Sequence, residues 1–313
     1  MITPLVRKAA GIALAAATLA ALAGCSAPVD DRPLVVVTTN ILGDVVSNVV
    51  GDEAEVMVLM KPDADPHSFE ISAKDASRIL GADLLVSNGL GLEEGLQQHL
   101  DQAAAEGVAT LAAGDVVDVL EYGSGDADSA DDTGADDPHF WTDPARMLDV
   151  TAAVADAVEQ HVEGADARVI RSNADDYAAQ LRELDAEMTT AFEAIPAAQR
   201  NLVTNHHVFG YLADRFGFTV VGAVIPGGST LAAPSASDLR DLVDAIDEAG
   251  VATIFAESSQ PDRLVQVLAD EAGVDVAVVE LFTESLSGPG SGADSYLTMM
   301  RTNTERISTG LSP

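Results

Sequence analysis

Leu34-Val35-Val36-Val37-Thr38, followed closely by Asn40-Ile41-Leu42-Gly43-Asp44-Val45-Val46, sets the reading of the whole chain. A β-branched run of this length is a strand. The segment behind it turns to helical spacing of its apolar residues before Gly51 ends it. The unit then repeats. Residues 55–60 read as a second strand, 61–71 as a loop, and 72–80 as a helix opened by a capping box at Ser72-Ala73-Lys74-Asp75. Residues 82–87, 92–105 and 108–111 continue as strand, helix and strand. Strands that alternate with helices build a parallel sheet, with ligands expected at the carboxyl ends of the strands.

Outward from this unit the pattern breaks at residues 121–137, a stretch of glycine, serine and aspartate that reads as a solvated, disordered loop. Asp143-Pro144 supplies an N-cap and a first-turn proline for a helix running to about His161. A further helix over residues 173–195 carries Tyr177, Leu181, Leu184, Met188 and Phe192 at spacings of three and four. At about 1.5 Å per residue it spans roughly 30 Å, enough to cross from one lobe to another. From residue 202 the alternation restarts, with strands at 202–205, 219–224, 253–256 and 274–281 and helices up to residue 216 and over 237–249 and 262–272. These elements form a second α/β lobe.

Three histidines and a glutamate stand where strands or loops run into helix starts: His67, His139, His206 and Glu284. Neutral imidazole nitrogens with one carboxylate suit zinc and, less tightly, manganese. Taken singly, a loop histidine is more often a surface hydrogen-bonding residue than a ligand. Two candidates come from each lobe, so a metal function requires that they meet in the cleft. Glu257 also ends a strand near that cleft and could orient a ligand or act as one. His207 is expected to face solvent, His99 and His161 to be solvated on their helices, and Trp141, Phe209 and Tyr211 to pack around the cleft.

The chain begins with Arg7-Lys8, an apolar run of about fifteen residues and Leu22-Ala23-Gly24-Cys25, the layout of an export signal and too short for a comfortable membrane span of about twenty residues. Cys25 is the only cysteine, so no internal disulfide or thiolate zinc site can form. Leu-Ala-Gly-Cys resembles the lipobox of bacterial lipoproteins, in which the cysteine is diacylated. The expected organisation is a signal peptide over 1–24, a lipidated tether over 25–32, an N-terminal lobe over 33–165, a linking helix region over 166–198 and a C-terminal lobe over 199–313. Net charge is −35, and loss of Arg7 and Lys8 with the signal makes it more negative still. That balance argues against nucleic acid or anionic membrane surfaces as partners and leaves cations as the plausible ligands.

With these residues in order, the chain resembles the metal-binding lipoproteins of bacterial zinc and manganese ABC importers, a cluster of periplasmic-type solute-binding proteins. The resemblance is carried by Pro66-His67, Pro138-His139-Phe140-Trp141, Thr204-Asn205-His206 with Phe209-Gly210-Tyr211, Phe255-Ala256-Glu257, and Thr283-Glu284-Ser285-Leu286 with Gly292-Ala293-Asp294. It implies two α/β lobes with parallel sheets joined by one long helix, and a metal in the inter-lobe cleft held by His67, His139, His206 and Glu284. It also implies a monomeric receptor, anchored by lipid outside the cytoplasm, that passes zinc to a permease driven by a cytoplasmic ATPase. Two departures stand out. Glu284 replaces the family's usual aspartate, and the loop before His139 is rich in aspartate where zinc-specific members often carry histidines.

Other readings are a manganese receptor of the same type, a zinc hydrolase using three histidines and a nearby glutamate, and a surface adhesin. The hydrolase reading lacks His-Glu-x-x-His, Gly-x-Ser-x-Gly and any phosphate-cradling glycine loop.

Overall fold

The structure, a computed structural model, describes residues 32–122, 134–225, 228–231, 235–251, 253–259, 265 and 277–312. Residues Pro33–Pro313 form one compact unit, separate from Met1–Arg32. The signal segment, Cys25 and most of the tether therefore lie outside the described residues. So do the middle of the aspartate-rich loop and nearly all of the helix expected over 262–272.

The N-terminal lobe is a parallel sheet in the order β2-β1-β3-β4. β1 (Leu34–Val37) pairs in parallel with β2 (Glu55–Val58), Leu34 opposite Glu55, and with β3 (Leu84–Ser87), Val35 opposite Leu84. β4 (Thr110–Ala112) adds to the far side of β3. Both central strands are wholly buried, as continuous apolar runs covered on both faces require. Helix α1 (Asn40–Val50) starts behind a Thr39 cap and stops at Gly51. It presses close on β2: a Cβ on Gly43 would lie 2.4 Å from a Val58 methyl. Helix α2 (Ala73–Ile79) opens with the Ser72–Asp75 capping box read from sequence. A single turn at Glu94–Leu96 leads into α3 (Gln97–Ala105), where one continuous helix was expected. Helix α4 (Pro144–His161) starts behind Asp143 with proline in its first turn.

The linking helix α5 runs over Ala167–Glu193, about 40 Å, and begins six residues before the expected start at residue 173. Inside the helix, Asn173 Nδ2 donates to the Val49 carbonyl at the end of α1, so this side chain ties two helices together. The true cap is Asp166, which accepts from the Arg168 amide. Ile170, Tyr177, Leu181, Leu184, Met188 and Phe192 of α5 are buried in one apolar cluster with Val35 and Trp141 of the first lobe and Phe216, Phe255 and Leu281 of the second. At about 1.5–3 kcal/mol for each large side chain fully buried, this stripe ties the helix firmly to both lobes.

In the C-terminal lobe β5 (Asn201–Thr204) pairs with β6 (Thr219–Ala223), and β7 (Thr253–Glu257) with β8 (Ala277–Leu281), both parallel. β5 lies alongside β7, and among the described residues no ladder joins the two short sheets. Helices α6 (Gly210–Phe216) and α7 (Ala236–Ala249) follow β5 and β6, and α8 (Tyr296–Leu311) packs on α5 and β8. Among the described residues no helix is long and apolar enough to cross a membrane.

Candidate metal site

Each of the four candidates is delivered by the end of a strand or by the loop behind it. His67 sits in the loop between β2 and α2, and His139 leads the single turn Phe140–Thr142 before α4. The tripeptide Asp-Pro-His occurs at both places and makes the same local turn. Asp65 Oδ1 accepts from the His67 amide and Asp137 Oδ1 from the His139 amide, each at 2.9 Å. An Asx side chain that bonds the backbone two residues on fixes the loop without a helix or ladder. This role of Asp65 and Asp137 was not among the sequence expectations, although the repeated Asp-Pro-His in the sequence signals it.

His206 stands two residues beyond β5, where Thr204 Oγ1 donates to its carbonyl at 2.7 Å. Glu284 follows β8. Asn303 of α8 bonds the Phe282 backbone on both its amide and its carbonyl, and Trp141 Nε1 donates to the Thr283 carbonyl at 2.8 Å from the other lobe.

The four side chains meet. His67, His139, His206 and Glu284 each offer a donor atom, and these atoms lie within 4.8 Å of one another. All four residues are at most 2% exposed. Glu284 Oε1 is 2.9 Å from His67 Nε2, 3.4 Å from His139 Nε2 and 3.3 Å from His206 Nε2. The Nε2 atoms of His139 and His206 are 3.4 Å apart. Metal–nitrogen bonds of about 2.0–2.1 Å in tetrahedral array place donors roughly 3.3 Å from each other, so the spacing fits a small divalent ion. Glu284 Oε2 is buried without a hydrogen-bond partner among the described residues, leaving a second oxygen available.

The outer nitrogens set the inner ones. Asp137 Oδ1 faces His139 Nδ1 at 2.7 Å, with the Tyr122 hydroxyl 3.2 Å from the same nitrogen. Glu257 Oε1 faces His206 Nδ1 at 2.5 Å and also accepts from the His206 amide. A carboxylate against Nδ1 holds the proton there and turns the Nε2 lone pair inward. Glu257 thus stands behind His206, outside the group of four.

Burial works against charge on both rings, and the neighbouring carboxylates outweigh it. Asp137 and Glu284 raise His139, while Glu257 and Glu284 hold His206 well above the ordinary imidazole range. Burial likewise opposes charge on Glu284, yet His206, His139 and His67 keep it well below the usual carboxylate range. Burial pushes Glu257 upward against the pull of His206.

His207 departs from expectation: it is 4% exposed, and Val208 and Phe209 after it are buried too. His99 is half-buried and His161 exposed. Trp141, Phe209 and Tyr211 are buried, as expected of residues packing around the cleft.

Two α/β lobes with parallel sheets, closed on a buried cluster of imidazoles and a carboxylate, define a solute receptor of the kind that serves ABC importers, with a metal ion as the solute. The chain belongs to the family described as ZnuA, zinc-uptake complex component A, periplasmic, whose sequence profile matches residues 35–310. It is 29% identical to the manganese-binding lipoprotein MntA of Halalkalibacterium halodurans, over 93% of this chain and 94% of that protein. It is 30% identical to the zinc-binding protein TroA of Treponema pallidum, over 91% of each, and 29% identical to the iron-binding protein YfeA of Yersinia pestis, over 88% and 85%. The solved structure of the Treponema pallidum periplasmic zinc-binding protein TroA matches with a TM-score of 0.80 at 28% identity, covering 90% of this chain and all of that one.

Proposed function

We propose that this chain is the lipid-anchored extracytoplasmic receptor that takes zinc between its lobes through His67, His139, His206 and Glu284 and hands it to a permease driven by a cytoplasmic ATPase. The observation that carries this reading is the convergence of four buried donor atoms, two from each lobe, on one point. Three nitrogens and one oxygen hold zinc more tightly than manganese under the Irving–Williams order, by about two or more orders of magnitude. Full burial also favours a receptor over a hydrolase, which must keep one coordination position open to water. Anchoring rests on the Leu22-Ala23-Gly24-Cys25 signature, with Cys25 the acylated residue.

Manganese is the second reading. The buried, unpartnered Oε2 of Glu284 favours it, because a carboxylate binding through both oxygens raises the coordination number. The relatives MntA, TroA and YfeA are named for manganese, zinc and iron, so kinship alone does not choose. The deciding experiment has two arms: competition binding on metal-free protein, and growth of a deletion strain starved of zinc or of manganese. Rescue by manganese alone overturns the zinc assignment even if the purified site prefers zinc. Turnover assays on ester, peptide and phosphate substrates test the receptor reading, which a chelator-sensitive rate would contradict.

A further inference from the structure

The turn behind β3, residues 88–93, gathers three features that a stable fold does not call for. Glu93 is 2% exposed, and its bonds run to uncharged groups: Oε1 accepts from the Thr38 hydroxyl at 2.6 Å and the Asn88 amide at 2.7 Å, and Oε2 from the Gly89 amide at 3.2 Å. Burial pushes its carboxyl above the usual range, and these donors pull it back. Leu90 holds a left-handed φ of +54°, uncommon for a bulky residue. Asn88 is 1% exposed. Its Nδ2 donates to the Gly89 carbonyl at 3.3 Å and to the Pro138 carbonyl at 3.0 Å, while its Oδ1 is buried without a hydrogen-bond partner among the described residues. A buried carboxylate, a strained backbone and an unmet acceptor each oppose folding, and together they mark a place shaped by something other than stability.

The turn stands at the ligand end of the first lobe. Thr38 follows β1 and Asn88 follows β3, so Glu93 ties together the carboxyl ends of the two central strands. Two backbone N–H groups face it, one on each oxygen, and only an ionised carboxylate accepts both; a glutamine would turn its NH2 group toward one of them. With its backbone held in this way, Asn88 reaches the Pro138 carbonyl. That carbonyl and the His139 amide belong to one planar peptide unit. The amide donates to Asp137 Oδ1 at 2.9 Å, so the unit that leads into His139 is bonded at both ends.

We propose that Glu93 and Asn88 are positioning residues for His139: Glu93 fixes the 88–89 backbone, and the Asn88 amide grips the peptide unit ahead of His139 so that the imidazole meets the other three donors. Both act through backbone, from the sheet outward, and neither belongs to the group of four. The inference rests on the reading of that group as a metal site, while the orientation of His139 can be observed in metal-free protein. A ligand aligned before the ion arrives spares binding the entropy of ordering it, and the strain at Leu90 and the unmet Asn88 oxygen are what that alignment costs.

The test compares the full chain with Asn88→Leu and Asn88→Ala, which remove the donor without adding charge, with Glu93→Gln, and with Val36→Ala, a stability control in the apolar cluster that β1 shares with Ile79 and Leu85. Zinc affinity is read by competition, coordination by the visible absorption of cobalt(II)-saturated protein, stability by melting temperature, and the His139 ring by 15N NMR without metal. Both Asn88 variants are expected to bind zinc about tenfold more weakly, the lower end of what losing an outer partner of a ligating imidazole brings, and to shift the cobalt spectrum. Glu93→Gln should move both in the same direction, whereas Val36→Ala should lower the melting temperature and leave the spectrum alone. Zinc affinity within about twofold of the unaltered chain in either folded Asn88 variant overturns the proposal. So does weakened binding with an unchanged cobalt spectrum, which makes the turn plain scaffold. If neither Asn88 variant folds, Glu93→Gln decides by the same criteria. If the unaltered chain binds neither zinc nor cobalt, the metal reading falls and NMR still decides the positioning: His139 ring resonances that move in Asn88→Ala while those of His67 stay support it, and unmoved His139 resonances overturn it.

Discussion

Asn40 and Leu286 are 246 positions apart in sequence and bonded at both backbone atoms: Asn40 Oδ1 accepts from the Leu286 amide at 2.8 Å and its Nδ2 donates to the Leu286 carbonyl at 3.3 Å. The same Nδ2 reaches Ser285 Oγ at 2.8 Å and the Lys61 carbonyl at 3.2 Å. One amide, on the first residue of α1, thus holds the loop that carries Glu284 against the loop that carries His67.

Asn40→Ala should leave the buried Leu286 amide without its partner, at about 1–3 kcal/mol, while the Leu286 carbonyl keeps its bond from the Asp63 amide. The expected outcome is a lower melting temperature in metal-free protein and an affinity for zinc reduced by about tenfold or more, the equivalent of ~1.4 kcal/mol. Thermal melts with and without zinc, together with competition titration, check it. Unchanged melting and affinity would show the clamp to be idle.

Affinity should climb with pH from below the ordinary imidazole value of about 6.5 and go on climbing above it. The direction follows from the metal-free cluster, in which His139 and His206 are raised and must lose protons before Nε2 can bind. For folding without metal the signs run oppositely for ring and carboxylate. The contribution of raised His206 is full below about 6.5 and is lost as pH rises through its folded value; that of lowered Glu284 is present above about 4.3 and lost on acidification. The gain in melting temperature on adding zinc should therefore grow from pH 6 toward alkaline pH, as protons compete less. Calorimetry in buffers of different ionisation enthalpy should find protons released on binding. A pH-independent affinity with no proton release contradicts the three-histidine site.

Glu257→Gln and Asp137→Asn should each weaken binding about 10–100-fold, the usual effect of removing the carboxylate behind a ligating imidazole. Both substitutions keep an oxygen that can accept from Nδ1, so they test charge rather than shape. Competition titration reads the loss. If affinity survives both, packing alone aligns the rings.

Cys25→Ala should release the protein from the membrane, since two acyl chains at about 0.8 kcal/mol per buried CH₂ supply the anchor. Fractionation of cells checks it, with continued membrane retention as the contrary result.

Deleting residues 126–132 should leave tight zinc binding intact and slow capture at low salt. Carboxylates in such a stretch steer cations without holding them, and Tyr122 and Asp137, which face His139, remain. Loss of tight binding would place part of the site within the deleted residues.

What the sequence determined unaided is what depends on neighbours along the chain. The β-branched runs at 34–37 and 84–87 are strands, Ser72 and Asp143 open helices, and the apolar spacing from Tyr177 to Phe192 makes a long amphipathic helix. The candidate donors were legible too, through the motifs Pro66-His67, Pro138-His139, Asn205-His206 and Thr283-Glu284 that carry the family resemblance. Tertiary structure decided the rest. Asn173 stands at the expected start of α5 and instead lies within it, joining α5 to α1, because what an amide bonds depends on what folds against it. His207 reads as solvent-facing and is buried in the packed protein. Whether Glu257 or Glu284 meets the imidazoles could not be read from two glutamates that both lie at strand ends. Packing of β5 beside β7 puts Glu257 behind His206, and the grip of Asn40, Trp141 and Asn303 on residues 282–286 turns Glu284 to the three Nε2 atoms. Local bonding is encoded within a few residues of chain, whereas the meeting of groups more than two hundred residues apart exists only once the lobes have packed.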